Sequence, residues 1–113
     1  MIHQMKLANS PFNTIKAGTK IIEMRLYDEK RREVKIGDTI QFTNRDTAEV
    51  LLVEVLALHI FNSFEEMYNA FDKISLGYAE NEVANPSDMG QFYSDEDIKK
   101  YKVVGIEIKL IQK

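Results

Sequence analysis

Hydrophobic and polar positions change their period several times along the chain, and each change marks an element. In Met1 to Leu7, Met5 and Leu7 share a face with His3 while Gln4 and Lys6 take the other, the two-residue period of a half-buried strand. Ser10 before Pro11 predicts a helix start, with Ser10 as the cap and Pro11 at the first helical position. Phe12 and Ile15 form the apolar side of that helix, and Gly18 stops it. Beyond Gly18 the period returns to two. Ile22, Met24 and Leu26 alternate with Ile21, Glu23 and Arg25, which predicts a second strand.

"YDEKRREV" then reads as a charged connection, and "KIGDTIQFTN" as a turn at Gly37 and Asp38 followed by a strand with Ile40 and Phe42 facing inward. After the turn residues "NRDT", the run "AEVLLVEVLALHI" is almost continuously apolar and rich in β-branched residues, as a strand buried along much of its length should be. Ser63 caps "FEEMYNAF", where Phe64, Met67, Tyr68 and Phe71 recur at helical spacing and read as core. Gly77, Pro86 and Gly90 break residues 73–93 into irregular turns, and Ser94 caps the short acidic segment "DEDIKKY". The chain closes on "KVVGIEIKLI", in which Val104, Ile106, Ile108 and Leu110 alternate with Glu107 and Lys109. Five strands with segregated helices predict a small α+β barrel, not a βαβ sheet.

Composition narrows the chemistry. A chain of 113 residues fits one domain with a hydrophobic core of its own. No apolar run approaches a membrane span and "MIHQMKLANS" has no signal-peptide pattern, so the expected location is the cytoplasm. Without cysteine there is no thiol nucleophile, disulfide or thiolate metal site, and His3 and His59, far apart, read as satisfied core histidines. No metal or cofactor is expected. The net charge of −3 conceals an asymmetry: residues 1–45 hold nine Lys and Arg against five Asp and Glu, net +4, and residues 46–113 hold six against thirteen, net −7. An acidic protein can therefore still carry a basic face on its first half.

Three charges interrupt the apolar start of the second strand in "GTKIIEMR". This stretch resembles the Gly-x-Lys-x-x-Glu-x-Arg signature of the ASCH domain, and "PFNTIKAG", "IGDTIQF" and "FYSDEDIKKYKVVGIEI" are also similar to small bacterial ASCH proteins. The resemblance spans most of the chain. It implies a single PUA-like domain over residues 1–113: a small mixed or antiparallel β-barrel of five to six strands with two to three short helices. It also implies a cleft lined by the signature strand that holds RNA or a nucleoside. Lysine offers a compact charge, arginine a planar fork for a phosphate or a base, and a carboxylate an acceptor for an exocyclic amine. The expected ligand residues are Lys20, Glu23, Arg25, Arg31, Tyr93 and Ser94.

Some ASCH proteins are acetylcytidine amidohydrolases that use a lysine, a threonine three residues later and a distant glutamate. Lys20 matches the lysine, but Glu23 stands at the threonine position. Others are proposed ribonucleases with a lysine, a tyrosine and a serine, for which Tyr93 and Ser94 are available. An enzyme of either kind would be metal-independent, with Lys20 and Glu23 as its acid–base pair. A third alternative is a module whose acidic second half binds a protein. Plainer readings stand beside these: a Glu23–Arg25 surface ion pair, a solvated "KRR" run at 30–32, Phe92 and Tyr93 packed under a loop, and Ser94 as a helix cap.

Overall fold

The structure, a computed structural model describing residues 1–112, runs in the order β1 (Ile2–Leu7), α1 (Asn9–Ala17), β2 (Ile22–Leu26), α2 (Glu29–Arg32), β3 (Thr39–Asn44), β4 (Val50–Phe61), α3 (Phe64–Ala70), a 3-10 helix (Pro86–Gln91), α4 (Asp95–Tyr101) and β5 (Val103–Gln112). The strands form one sheet in the order β1-β3-β4-β5-β2. β1 is parallel to β3 and the other pairs are antiparallel, so the sheet is mixed. β4 shifts register against β5 between Leu52 and Val53 and again between Val55 and Ala57. Such irregularities bend a strand and increase its twist, and the sheet curls into a half-barrel.

No backbone pairing joins the two ends of the sheet among the described residues; side chains bridge them instead. β1 and β2 are the free edges of the sheet. Arg25 Nη2 on β2 donates to the Lys6 carbonyl at 3.0 Å, and Lys30 Nζ on α2 donates to the Gln4 carbonyl at 3.0 Å. Two cations thereby satisfy edge carbonyls that would otherwise invite another chain.

Two apolar clusters hold the curl. Inside it, Met5, Leu7, Phe12, Ile15, Ile40, Phe42, Val53 and Ile106 are buried together. Behind β2 lies a second cluster of Ile22, Met24, Leu26, Phe64, Met67, Leu76 and Met89. β2 is therefore covered on both faces, and Glu23 is 3% exposed where simple alternation would have left it half-solvated.

Several local expectations need correction. α1 starts at Asn9 with Ala8 as its cap, and Ala8 offers no capping side chain. Ser10 and Pro11 lie inside the first turn. The helix tolerates Pro11 because the first-turn amides have no intrahelical acceptor, and the first amide to need one, that of Phe12, finds the Ala8 carbonyl at 3.2 Å. The connection after Tyr27 forms the one-turn helix α2, capped by Asp28, whose Oδ1 accepts from the Arg31 amide. With it the α-helices number four among the described residues, more than the expected two or three. Tyr68 and Phe71 are half-buried at the edge of the second cluster, not inside it. His3 is buried against Asp38 at 2.8 Å, whereas His59 is half-exposed, pairs with Glu107 at 2.9 Å and meets Phe71 edge-on.

Candidate ligand-binding cleft

In a regular strand Lys20 and Glu23 would point to opposite faces. The ladder begins only at Ile22, however, and the Lys20 amide is still bound to the Thr14 carbonyl at the end of α1. Gly18, at φ 87°, turns the chain there. Lys20 is thus free to run beneath the loop that follows α3, where its Nζ donates to the Leu76 carbonyl at 3.1 Å and lies 3.5 Å from Glu23 Oε1. The loop can lie this close because residue 77 is glycine. Its φ is +108°, and a Cβ there would meet Lys20 Cδ at 2.9 Å.

On the other side of Glu23, Oε2 accepts from Arg25 Nε at 2.9 Å and lies 2.8 Å from Nη2. Lys20 is 7% exposed. Burial pushes the Glu23 carboxyl up, but Arg25 and Lys20 together outweigh it and hold the group below the usual carboxylate range. Burial alone would lower Arg25; Glu23 reverses this and raises it. Both groups are therefore charged, and the motif forms a buried chain of alternating sign from Lys20 through Glu23 to Arg25.

This chain floors a cleft of about 400 Å³, at the small end of ligand sites. Lys6, Leu7 and the start of α1 form one wall, and residues 76–93 form the other. Tyr93 stacks on Phe64 with ring centres 5.8 Å apart, and Phe92, 64% exposed, stands at the mouth. Tyr68 and Tyr78 share a hydrogen bond at 2.7 Å, and the Tyr78 hydroxyl also donates to Asp88 Oδ2 at 2.8 Å. Burial raises the Tyr78 phenol strongly, with help from Tyr68 and Asp88. Burial likewise raises Tyr93, although Arg25 pulls the other way.

Of the residues expected at the site, the structure brings Lys20, Glu23, Arg25 and Tyr93 together. Arg31 lines an adjoining recess on the far side of Arg25. Ser94 lines neither; its Oγ accepts from the Asp97 amide at 3.1 Å as the cap of α4. Sequence reasoning missed Lys6, Arg45, Tyr68, Tyr78 and Asp88. The breaks at Gly77, Pro86 and Gly90 flagged an irregular segment, but nothing periodic reveals which of its side chains turn inward. Among the described residues no group of His, Asp and Glu has the arrangement of a metal site, and no helix is long and apolar enough to cross a membrane.

A half-barrel with a motif-lined cleft beside its first two strands defines a class, and the comparisons agree with it. Residues 5–112 match the ASCH domain, and the chain belongs to that family. It is similar to the hypothetical protein PH0355, known from a crystal structure, at 38% identity and a TM-score of 0.82, over 98% of this chain and all of that one. A Pyrococcus furiosus protein solved by NMR is also 38% identical, with a TM-score of 0.73 over the whole of both chains. An ASCH domain from Lactobacillus crispatus, at 13% identity and a TM-score of 0.68 over 99% of this chain and 80% of that one, shares the fold. No curated protein matches the sequence significantly.

Proposed function

We propose that the cleft binds one nucleotide unit, free or within single-stranded RNA, with the base against the Phe92 and Tyr93 wall and the phosphate toward Lys6 and Arg45. The observation that carries this reading is the buried Lys20–Glu23–Arg25 chain at the floor of an aromatic-walled cavity. Burying such charges is costly, and apolar residues of similar volume would often serve stability as well or better. A polar ligand gives the arrangement a use. Stacking a base on an aromatic side chain contributes about 1–3 kcal/mol, and the Asp88 and Glu82 carboxylates offer acceptors to exocyclic amines. The membership of the chain in a family regarded as RNA-binding points the same way.

The test is anisotropy titration of labelled single-stranded RNA, with nucleoside monophosphates as competitors, at two salt concentrations. Binding should weaken with salt and should weaken in Phe92→Ala and Arg45→Ala. Absence of binding at low salt rejects the proposal and leaves a protein partner for the acidic second half as the better reading.

The Lys20–Glu23 contact favours a second reading, metal-independent hydrolysis of a modified nucleoside or of RNA. Glu23 is held ionised by Arg25 and Lys20, which suits a support for positive charge and makes it a weak base and no proton donor. Lys20 would then be the donor. Turnover of acetylated cytidine or short RNA by the wild type, lost in Lys20→Ala, would establish it; turnover that survives removes Lys20 from the mechanism.

A further inference from the structure

Arg25 is a wall shared by two cavities. Beyond it, between β1, α2 and the end of β3, lies a recess of about 410 Å³ that meets the cleft at Lys6, Arg25 and Arg45. Its lining carries five cations, Lys6, Arg25, Lys30, Arg31 and Arg45, and no carboxylate. The cleft differs in kind, with Lys6, Lys20, Arg25 and Arg45 set against Glu23, Glu82 and Asp88. Five of the nine Lys and Arg of the first 45 residues therefore line one concavity.

The donors of the recess are only partly used. Lys6 and Arg45 pair with no carboxylate among the described residues. Asp28 engages Arg31 Nη1 at 3.3 Å, yet Arg31 Nε is buried with no partner. Leaving a buried donor unpaired is unfavourable, and native proteins rarely do so without a reason. A concave wall of one sign focuses potential on counter-ions, and planar guanidinium groups match the oxygens of a phosphate.

We propose that this recess holds a second phosphate, so that the ligand is a two-phosphate unit: a nucleotide in the cleft and its neighbouring phosphate beyond Arg25, as in an RNA strand crossing the seam between β1 and β2. The proposal rests on the nucleotide reading of the cleft and extends it from one unit to a strand path.

Calorimetry with nucleoside monophosphates and the corresponding nucleoside bisphosphates tests it on wild type and on Lys30→Ala/Arg31→Ala, with Lys30→Ala alone as a milder variant and circular dichroism to confirm folding. The wild type should bind the bisphosphate roughly tenfold tighter or better, as one additional charge-assisted contact allows. The double variant should bind both ligands equally, and the single variant should lose part of the gain. Where the monophosphate binds, a bisphosphate no tighter than it, or a gain that survives in the double variant, overturns the proposal. Inorganic phosphate, followed by amide chemical shifts, separates the two readings. Shifts at Arg31 and Thr43 without any nucleotide binding would reject the cleft reading and support the recess as an anion site. No shift there and no bisphosphate gain would reject the recess.

Discussion

Lys20 Nζ and Glu23 Oε1 lie 3.5 Å apart because a helix end, not a strand, places the lysine. The Lys20 amide belongs to the closing turn of α1, while Glu23 belongs to β2 and faces Ile106 of β5. The spacing in "GTKIIEMR" thus joins two elements across the point where one ends and the other begins. The left-handed turn at Gly18 helps to build the site although it does not line the cleft.

Gly77→Ala should damage the cleft more than an exposed loop substitution would. The residue sits at a φ that side chains rarely adopt, and its new methyl would press on Lys20 Cδ. A destabilisation of about 1–3 kcal/mol is expected, with the Lys20 resonances displaced. Denaturant unfolding and NMR of the variant measure both; wild-type stability would show that the loop can retreat without cost.

Arg25→Ala should be among the most disruptive substitutions in the chain. It leaves Glu23 buried with only Lys20 as a partner and frees the Lys6 carbonyl on the seam. Breaking a buried pair by removing one partner costs about 3–5 kcal/mol. Arg25→Lys should recover only part of this, since an ammonium cannot reproduce the fork that reaches Glu23 and Lys6 together. Chemical denaturation of the three proteins gives the order.

Acid should unfold the protein partly through Glu23. Its folded pKa lies below the ordinary 4.5, so its ionisation stabilises the fold fully above that value. As pH falls from there through the folded pKa, that contribution is lost. Glu23→Gln should therefore be less stable than wild type at neutral pH, with the difference shrinking as pH drops below 4.5. At the other extreme the sign reverses for Tyr78. Its phenol is raised above the ordinary 10.0, so its contribution is complete below that value and fades as pH rises beyond it. Tyr78→Phe should flatten the alkaline limb of a stability profile measured by thermal unfolding.

Ser94→Ala should lower stability by about 1 kcal/mol, the worth of a helix cap, and leave nucleotide affinity as it was. Its hydroxyl serves the Asp97 amide outside the cleft. A large loss of binding or turnover in this variant would restore Ser94 to the site.

What could be read in the sequence followed from periodicity and from single-residue chemistry. β1, β3 and the second half of β5 alternate because one face of each packs inside the curl, and Gly18, Ser63 and Ser94 do at helix ends what their residue types dictate. Ser10 misled because a proline is tolerated anywhere in a first turn, so it does not fix which residue is the cap. The cleft was half legible. Lys20, Glu23 and Arg25 stand in one octapeptide, but the opposing wall comes from residues 76–93, where Gly77 yields to Lys20 and Asp88 answers Tyr78 through contacts with no repeat to announce them. Tyr68 follows Phe64 at the i, i+4 helical spacing and so read as core, although its hydroxyl reaches out to Tyr78.

The position of β2 at the end of the sheet orders events in time. Its one strand partner is β5, so residues 22–26 join the sheet only through residues 103–107. Contacts this distant in sequence are slow to form, since a long stretch of chain has to be restrained first. The β3–β4 hairpin and the β4–β5 pair can assemble without it. Glu23 and Arg25 lose their water only when β2 docks, so dehydration and mutual pairing are coupled to that step. A kinetic probe placed at Glu23 is therefore expected to report the docking of β2 on β5, the pairing with the longest sequence separation in the sheet.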